Sequence, residues 1–525
     1  MTATSAGISR PSRPPRPPRS PRSPRWLRGS PGGLFLLAAA AGVASGAGAV
    51  AFRDLISLVT WLATGHSQFG QQGWLVSAHL PWLGLGFFVL IPVAGGLLYG
   101  PLIYRFAREA RGHGVPEVLT AVAEDGSRLR PRLSLVKGLA SALCIGTGGS
   151  LGREGPMVQI GSSLASGLGQ WARVPENRLR ILVACGTAGG ISGVFNAPVT
   201  GAFFGIELIL RAFSIDALIA VMLSAMAADS VAEPLLGSKR LLPGFPAGVA
   251  AHHLGTYLLV GLLAVLAALV GLAFKTVLHK TEDICDRLWR GRPEWARPAA
   301  GGLALGVLLL GFPQMYGGGY AVMDSTVAGG YALWFVALLA FGKIAATSLS
   351  VGIGGSGGTF APSLFIGLTS GMAFGDIARH LFGPGAGQPV LYAAVAMGAV
   401  LAATAHAPLT SVASAVEMTG DLALALPALL AVAIATALSR TVSAGTIYTT
   451  KLLRAGIDID RPTRRRPQPG LNVATVIHPL RVPPPAAGPQ HFAAGVAPPG
   501  PAPAGASPEP GGAQPGNGEG ATADL

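Results

Sequence analysis

Long apolar segments recur along the chain and set its fold class. Four of them hold about twenty mostly hydrophobic residues each: 32–52, 80–100, 254–274 and 424–444. A helix of that length crosses a hydrocarbon core of about 30 Å. Two further apolar segments, Ile181–Ser192 and Pro362–Gly375, are short or interrupted by glycine and proline. Interrupted segments are tolerated at membrane depth only where protein or a cavity surrounds them. The pattern predicts a helical bundle with broken helices that encloses a path.

Composition agrees with an all-α integral membrane protein. Half of the 525 residues are hydrophobic and 12% are charged. The net charge of +14 is concentrated at the two ends, where acidic residues are scarce. We therefore expect contact with anionic lipid headgroups and no nucleic-acid partner. Residues 1–32 form a Pro/Arg-rich arm and residues 456–525 a basic, then Pro/Ala/Gly-rich tail. Both are expected to be disordered.

The basic ends also predict the orientation. By the positive-inside rule both termini are cytoplasmic, which requires an even number of crossings of the cell (inner) membrane. The first apolar segment has no convincing cleavage site after it and is predicted to be a retained helix. A multi-pass protein follows.

Enzymatic chemistry has no visible motif in this chain. Three cysteines, Cys144, Cys185 and Cys285, lie in apolar or juxtamembrane context without a CxxC spacing, and the histidines form no metal-ligand pattern. A nucleophile elbow and a phosphate-binding loop are also missing. We expect no cofactor and no metal, and a membrane-embedded enzyme is kept as a distant alternative.

An internal repeat organises the chain. A shift of 206 residues places Lys137 on Lys343, Pro156 on Pro362 and Gly161 on Gly367, and a shift of 210 places Glu207 on Glu417. Unrelated apolar helices would not keep Lys, Pro and Glu in step. The predicted repeats are residues 33–240 and 241–455, and an odd number of crossings in each would make them inverted.

Three glycine-rich elements each end in proline: "GHGVP" (112–116), "GREGP" (152–156) and "GTFAP" (358–362). Proline is favoured in the first helical turn, and glycine lets backbones approach closely. Each element is thus predicted to direct free N–H groups and the positive end of a helix dipole at one place. Backbone donors without a ring of carboxylates indicate a small-anion site.

These elements, with "FNAPVTG", "EMTGD" and "GTIYTTKLL" at 195–201, 417–421 and 445–453, resemble the ClC family of voltage-gated chloride channels and proton/chloride antiporters. The resemblance implies a homodimer with an anion path in each subunit, lined by the three elements and a tyrosine. It also implies a ClC-type bundle of two inverted repeats. The tail is too rich in proline for the paired nucleotide-sensing domains of many relatives. The implied anion-binding residues are Gly112, His113, Gly114, Val115, Pro116, Gly152, Arg153, Gly155, Pro156, Gly358, Thr359, Phe360, Ala361, Pro362 and Tyr448.

Glu154 is the one carboxylate in the three elements. The resemblance assigns it as the gating glutamate. An ionised carboxylate beside an anion site competes for that site, and its protonation releases the site. The alternative is that Glu154 pairs with Arg153 or caps a helix. The roles of Lys137 and Lys343 have two alternatives: a lysine in each half either raises the local positive potential or extends its ammonium group to the membrane interface.

Two departures from the family pattern affect function. His113 stands where many chloride-selective members have serine, which leaves selectivity open and makes pH-dependent binding possible. Leu208 stands where proton-coupled members often carry an inner acid, next to Glu207. Glu207 and Glu417 are interpreted as structural acids that accept hydrogen bonds from helix-end N–H groups. We therefore expect channel-like chloride transport. The alternative is a proton-coupled antiporter that uses Glu207 or water as its inner route.

Overall fold

The computed structural model describes residues 25–67, 69, 77–107, 111–237, 242, 244–246, 248–249 and 253–459. Most of the predicted N-terminal arm and the tail from residue 460 lie outside these residues. The structure corrects the end of the predicted disordered arm, because a helix (α1) spans Arg25–Gly29 and the next begins at Pro31. Ser30 caps that second helix by accepting a hydrogen bond from the Gly33 N–H.

The first repeat consists of helices α2 to α9. Proline occupies the first turn of several of them, where its missing N–H costs no intrahelical hydrogen bond. The helices are α2 (Pro31–Thr64), α3 (Phe87–Phe106), α4 (Val115–Ala123), α5 (Pro131–Gly146), α6 (Glu154–Ala172), α7 (Glu176–Phe195), α8 (Pro198–Phe204) and α9 (Ile215–Leu236). A π-helical turn, Gly205–Leu210, extends α8.

The second repeat follows with the same order of helices, and a short helix closes it. The helices are α10 (Leu254–Leu288), α11 (Arg297–Gly311), α12 (Tyr320–Val327), α13 (Leu333–Gly352), α14 (Phe360–Phe382), α15 (Pro389–Ala405), α16 (Pro408–Thr419), α17 (Ala425–Val442) and α18 (Thr450–Arg454). Among the described residues, eight helical segments are long and apolar enough to cross a membrane. The predicted all-α membrane fold is confirmed.

Equivalent helices of the two repeats make equivalent contacts. In the first repeat α2 packs on α9 and α6 packs on α7; in the second, α10 packs on α17 and α14 packs on α15. The first residues of α6 and α14, Glu154 and Phe360, differ by the repeat shift of 206. Inverted repeats would place the C-terminal ends of α2 and α10 at opposite faces of the bundle.

Two apolar segments that the sequence suggested were interrupted are continuous helices. Residues 181–192 lie within α7 and residues 362–375 within α14. Their glycines do not break the helices, because they lie where another backbone passes at contact distance. A Cβ at Gly186 would overlap the Gly161 carbonyl of α6, and one at Gly367 would lie 2.7 Å from the Met397 Cα of α15. Glycine therefore permits close helix packing here.

Candidate anion pathway

The three glycine-rich loops meet at the centre of the bundle. Gly152 and Gly358 exchange backbone hydrogen bonds of 2.9 and 2.7 Å. The Gly112 N–H donates to the Gly355 carbonyl at 3.1 Å, and the Gly357 N–H donates to the Gly112 carbonyl at 3.3 Å. The loops thus share one small backbone network, although up to 246 residues of sequence separate Gly112 from Gly358.

The first two glycine-rich elements contact each other directly through their backbones. Gly114 has a left-handed backbone with φ of 84°, and a Cβ there would lie 2.5 Å from the Gly155 carbonyl oxygen. A Cβ at Gly155 would in turn overlap the His113 carbonyl. The beginnings of α4, α6 and α14 consequently converge, as the sequence predicted. Val115, Pro116, Pro156 and Pro362 lie buried in their first turns. Three helix N-termini at one place favour negative charge.

Glu154 supplies that negative charge. Its side chain is buried, with 1% of its surface exposed. The Oε1 atom accepts hydrogen bonds from the backbone N–H groups of Phe360 at 2.8 Å and Ala361 at 3.1 Å. Glu154 lies in the first turn of α6, yet its carboxylate caps α14, the equivalent helix of the other repeat. Pairing with Arg153 is not among the ion pairs of the described residues.

Two glycines make room for this carboxylate. A Cβ at Gly152 would overlap both carboxylate oxygens of Glu154, and a Cβ at Gly358 would overlap Oε1. The second oxygen, Oε2, is buried and accepts no hydrogen bond from the described residues. The carboxylate therefore occupies a tight position lined by backbone, with one oxygen unsatisfied. A buried oxygen without a hydrogen bond costs free energy, which argues against a purely structural role for this carboxylate.

Tyr448 and Thr359 are two further buried residues that the family resemblance assigns to the anion site. Tyr448 is 2% exposed. The segment that carries it is held in place by the Ile447 N–H, which donates to the Thr404 carbonyl at 2.9 Å. The Thr359 hydroxyl is buried and has no hydrogen-bond partner among the described residues.

Lys137 and Lys343 are both fully buried, so neither extends to an interface. The Lys137 ammonium donates to the Gly112 carbonyl at 2.7 Å. The Lys343 ammonium donates to the Ser150 hydroxyl at 2.9 Å and to the Gly317 carbonyl at 3.0 Å. Each lysine thus holds a loop next to one of the glycine-rich elements and adds positive potential there.

Arg153 points away from the convergence of the loops, although its backbone belongs to the second element. Its guanidinium carbon lies 4.5 Å from the centre of the Tyr320 ring and 5.8 Å from that of Phe195, which are cation–π distances. The side chain lines a cavity of about 610 Å³ that Arg53 and Asn196 also border. This cavity, the vestibule, is formed at the C-terminal ends of α2, α7 and α9.

His113 is nearly as buried as Glu154, with 3% of its surface exposed. Its carbonyl contacts Gly155, and its Nε2 atom is buried without a hydrogen-bond partner among the described residues. The side chain therefore retains the capacity for one more hydrogen bond beside the first glycine-rich element.

Glu207 and Glu417 cap helices of the opposite repeat. Glu207 accepts hydrogen bonds from Leu409 N–H at 3.1 Å and from the Thr410 N–H and hydroxyl at 2.9 and 2.8 Å. Glu417 accepts from Val199 N–H at 2.8 Å and from the Thr200 N–H and hydroxyl, both at 2.7 Å. The predicted bonding of these acids to helix-end N–H groups is confirmed.

Leu208 lies in the π-helical turn and is 8% exposed. Its hydrocarbon side chain carries no exchangeable proton, and the neighbouring Glu207 carboxylate is committed to α16.

One group near the pathway was missed by the sequence reading. His279 and Glu282 lie one turn apart on α10, and Nδ1 of His279 is 3.2 Å from Oε2 of Glu282. Lys451 of α18 lies 3.5 Å from the other carboxylate oxygen. The i, i+3 spacing of His279 and Glu282 was the available signal, but it does not reveal that α18 folds back beside α10.

Comparison with known proteins agrees with this geometry. A family model described as voltage gated chloride channel matches residues 95–440. A putative chloride channel protein ClcB-like from Ralstonia nicotianae is 34% identical over 430 residues, which are 80% of this chain and 97% of the relative. The voltage-gated ClC-type chloride channel ClcB of Escherichia coli is 32% identical and is covered over 97% of its length.

Solved structures give the same result. The crystal structure of a slow cyanobacterial Cl⁻/H⁺ antiporter matches with a TM-score of 0.70 and 25% identity, covering 82% of this chain and 99% of the antiporter. A CLC-type fluoride/proton antiporter at 24% identity has a TM-score of 0.66 and shares the fold. With a family model that matches most of the chain and relatives covered nearly end to end, this protein belongs to the ClC family of voltage-gated chloride channels and antiporters.

Proposed function

We propose that this protein transports chloride, or a similar small anion, across the membrane through a pathway in each subunit that Glu154 gates. The contact of Glu154 with the Phe360 and Ala361 N–H groups carries the proposal. Two converging N–H groups at the start of a buried helix suit a small anion, and here a tethered carboxylate occupies them. When the carboxylate is protonated, it loses its attraction for these donors and an anion replaces it.

Flux of radioactive chloride from proteoliposomes tests this proposal. Vesicles that hold the wild-type protein should lose chloride down its gradient, whereas vesicles with protein inactivated by heat before reconstitution should not. Nitrate and fluoride tested in the same vesicles would define the selectivity that His113 leaves open. Absence of chloride, nitrate and fluoride flux would refute the proposal.

Channel-like conduction is the mode that the interior favours. A proton that crosses an apolar interior needs titratable groups or water, since transfer of a bare charge costs many kcal/mol. Leu208 supplies no such group, and Glu207 is engaged by three donors of α16. Exchange of protons for chloride is the second candidate. It is favoured by the similarity to the cyanobacterial Cl⁻/H⁺ antiporter and by the titratable Glu154.

The assembly that we propose is a homodimer in lipid. Large apolar side chains are exposed on α8, α9, α16 and α17, among them Val199 (49% exposed), Met222 (51%), Leu409 (42%) and Leu426 (67%). Small residues let neighbouring helices approach closely, and van der Waals packing between matched side chains then favours helix association within a membrane. We also propose the cell (inner) membrane as the location, with both termini cytoplasmic and the basic segments on lipid headgroups.

No enzymatic activity is proposed. The family is one of channels and transporters. Among the described residues, no group of three or more His, Cys, Asp or Glu side chains is arranged to hold a metal ion.

A further inference from the structure

A cavity of about 160 Å³ lies between the end of α3 and the beginning of α11. These two helices are antiparallel neighbours whose backbones touch at glycines. A Cβ at Gly96 would lie 2.5 Å from the Ala299 nitrogen, and a Cβ at Gly100 would overlap the Trp295 carbonyl. The cavity opens just beyond these contacts, where the last turn of α3 and the first turn of α11 separate. We call it the α3–α11 cavity.

Hydrocarbon forms most of the wall of this cavity. Ile103 of α3, Pro298 of α11 and Ile353 after α13 contribute aliphatic carbons. Three charged side chains also border it: those of Arg111, Glu294 and Arg297. The Arg111 and Glu294 side chains are 34% and 49% exposed, whereas that of Arg297 is 4% exposed. The cavity is therefore apolar with one deeply buried cation.

The Arg297 guanidinium has one donor to spare. Its Nη1 lies 2.5 Å from Asp286 Oδ1, and its Nη2 donates to the Gly352 carbonyl. Its Nε is buried and has no hydrogen-bond partner among the described residues. A buried donor without an acceptor costs free energy, and a donor on a charged group gains most from an anionic acceptor. The site thus favours a ligand with a negatively charged oxygen.

Charge and aromatic side chains place the cavity at the membrane–water boundary. The stretch 286–297, which joins α10 to α11, holds four arginines and two acids. Tyr104, which borders the cavity, and Trp295 are both exposed. Arginine together with tyrosine and tryptophan is typical of the interface between hydrocarbon and water. An anionic head bound at Arg297 would therefore lie at the depth of the lipid headgroups.

The outer faces of the same two helices offer a surface for a hydrocarbon chain. Leu97 and Leu98 of α3 and Leu303 and Val307 of α11 are all more than half exposed. They lie one to three turns from the cavity along helices that cross the membrane. A ligand with its head at Arg297 can thus keep its chain against apolar side chains and in the bilayer.

We propose that the α3–α11 cavity binds a long-chain fatty acid, whose carboxylate accepts a hydrogen bond from Arg297 Nε. A cavity of this volume is close in size to an engineered one that binds benzene, so it admits a carboxylate and several methylene groups. A phospholipid headgroup with two chains is too large for it. Inorganic phosphate would supply the charge but would leave the hydrocarbon wall without an apolar partner.

This site adjoins the loops of the anion pathway. Gly354, which lines the cavity, precedes Gly355, and the Gly355 carbonyl accepts the Gly112 N–H at 3.1 Å. Arg111 lies directly before Gly112 in the chain. A ligand that binds the folded protein stabilises it in proportion to its occupancy. We therefore expect the fatty acid to raise the temperature at which the protein unfolds, whether or not chloride is present.

Photolabelling of the purified full-length protein in detergent tests the proposal. The probe is a palmitate analogue with a diazirine near its carboxyl end, and mass spectrometry of peptides locates the label. We expect saturable labelling at the end of α3 or the beginning of α11. Palmitate should compete for the site. Hexadecanol, which lacks the charge, should compete at least about tenfold more weakly.

Three variants locate the site. Ile103→Phe fills the cavity and leaves its charges in place, and it should reduce labelling at least about fivefold. Arg297→Lys keeps the positive charge but removes Nε, and it should also weaken labelling. Leu258→Phe is the matched control, because it enlarges an exposed apolar side chain on α10 outside the cavity. Palmitate should raise the unfolding temperature of the wild type and L258F, but not that of I103F.

Several results would overturn the proposal. Labelling that does not saturate, that falls on other helices, or that persists in a folded I103F protein would remove the site. Equal competition by hexadecanol would exclude Arg297 as the determinant. Stronger competition by phosphatidylglycerol would assign the cavity to a phospholipid, and competition by inorganic phosphate would assign it to a free anion. None of these measurements uses chloride flux, so the transport proposal stands or fails separately.

Discussion

Glu154 and Phe360 occupy the same position in the two repeats, 206 residues apart, and they are hydrogen-bonded to each other at 2.8 Å. The first residue of α6 thereby caps the first turn of α14 with its carboxylate. The repeat brings the first turns of the two equivalent helices together. Because one of the two equivalent positions is glutamate and the other phenylalanine, the contact carries a single charge. At this pair of equivalent positions, the first repeat thus contributes a titratable group and the second does not.

Replacement of Glu154 by Gln tests the gate directly. The amide mimics the protonated carboxyl, and it has no negative charge with which to compete for the Phe360 and Ala361 N–H groups. At saturating chloride, we expect flux through E154Q to remain high and to be nearly independent of pH. Flux that stays as pH-sensitive as that of the wild type would remove Glu154 from the gate and point to His113.

Gly152→Ala tests the same contact without changing a charge. The three atoms nearest to the added methyl all belong to the Glu154 carboxylate and would overlap it, so the carboxylate should leave its position at α14. The expected result is flux with the weak pH dependence of E154Q, measured in the same proteoliposomes. Gly48→Ala serves as the control, because a Cβ there meets its nearest atom at an ordinary 3.5 Å. Wild-type pH dependence in G152A would show that the carboxylate does not gate from this position.

The sequence alone predicted the helical membrane fold, the repeat and the three glycine-rich elements. These features are local or periodic: apolar length reports a membrane crossing, and matched Lys, Pro and Glu positions report a repeat. It also predicted that Glu207 and Glu417 accept hydrogen bonds from helix ends. It did not predict that each acid caps the opposite repeat, since the partners Thr410 and Thr200 are more than 200 residues away.

Contacts between residues that are distant in the chain, and the directions of side chains, could not be predicted from the sequence. Arg153 and Glu154 are adjacent, but the start of a helix turns one towards Tyr320 and the other towards α14. The sequence predicts interruptions at the glycines of α7 and α14 because the backbones that pack against them, at Gly161 and Met397, belong to other helices. The contact of Lys451 with Glu282 is equally invisible along the chain.

The reciprocal caps predict a loss of stability without a loss of gating. Removal of a carboxylate that accepts three hydrogen bonds leaves helix N–H groups unsatisfied, at a cost of about 1–3 kcal/mol. Glu207→Ala and Glu417→Ala should therefore each lower the temperature at which the detergent-purified protein aggregates. Glu207→Gln, which keeps one acceptor oxygen, should be affected less.

Flux measurements on the same variants distinguish this role from proton transfer. E207Q reconstituted at 25 °C should transport chloride with wild-type pH dependence. A strong change in that dependence, with unchanged thermal stability, would contradict the capping role and assign Glu207 to a proton route.

The mode of transport gives the last prediction. An exchanger must move a proton between Glu154 and the opposite face of the membrane. Leu208 has no titratable group, and the Glu207 carboxylate accepts hydrogen bonds from Leu409 and Thr410. We therefore expect chloride to move without stoichiometric proton transport.

Proteoliposomes with a chloride gradient, no proton gradient and a membrane potential clamped near zero separate the two modes. In a channel, internal pH stays constant while chloride moves, because nothing ties the chloride gradient to proton movement. In an exchanger, chloride flow drives protons uphill, and Glu154→Gln abolishes that movement by removing the titratable group that both ions share. Sustained uphill proton movement in the wild type would thus establish exchange.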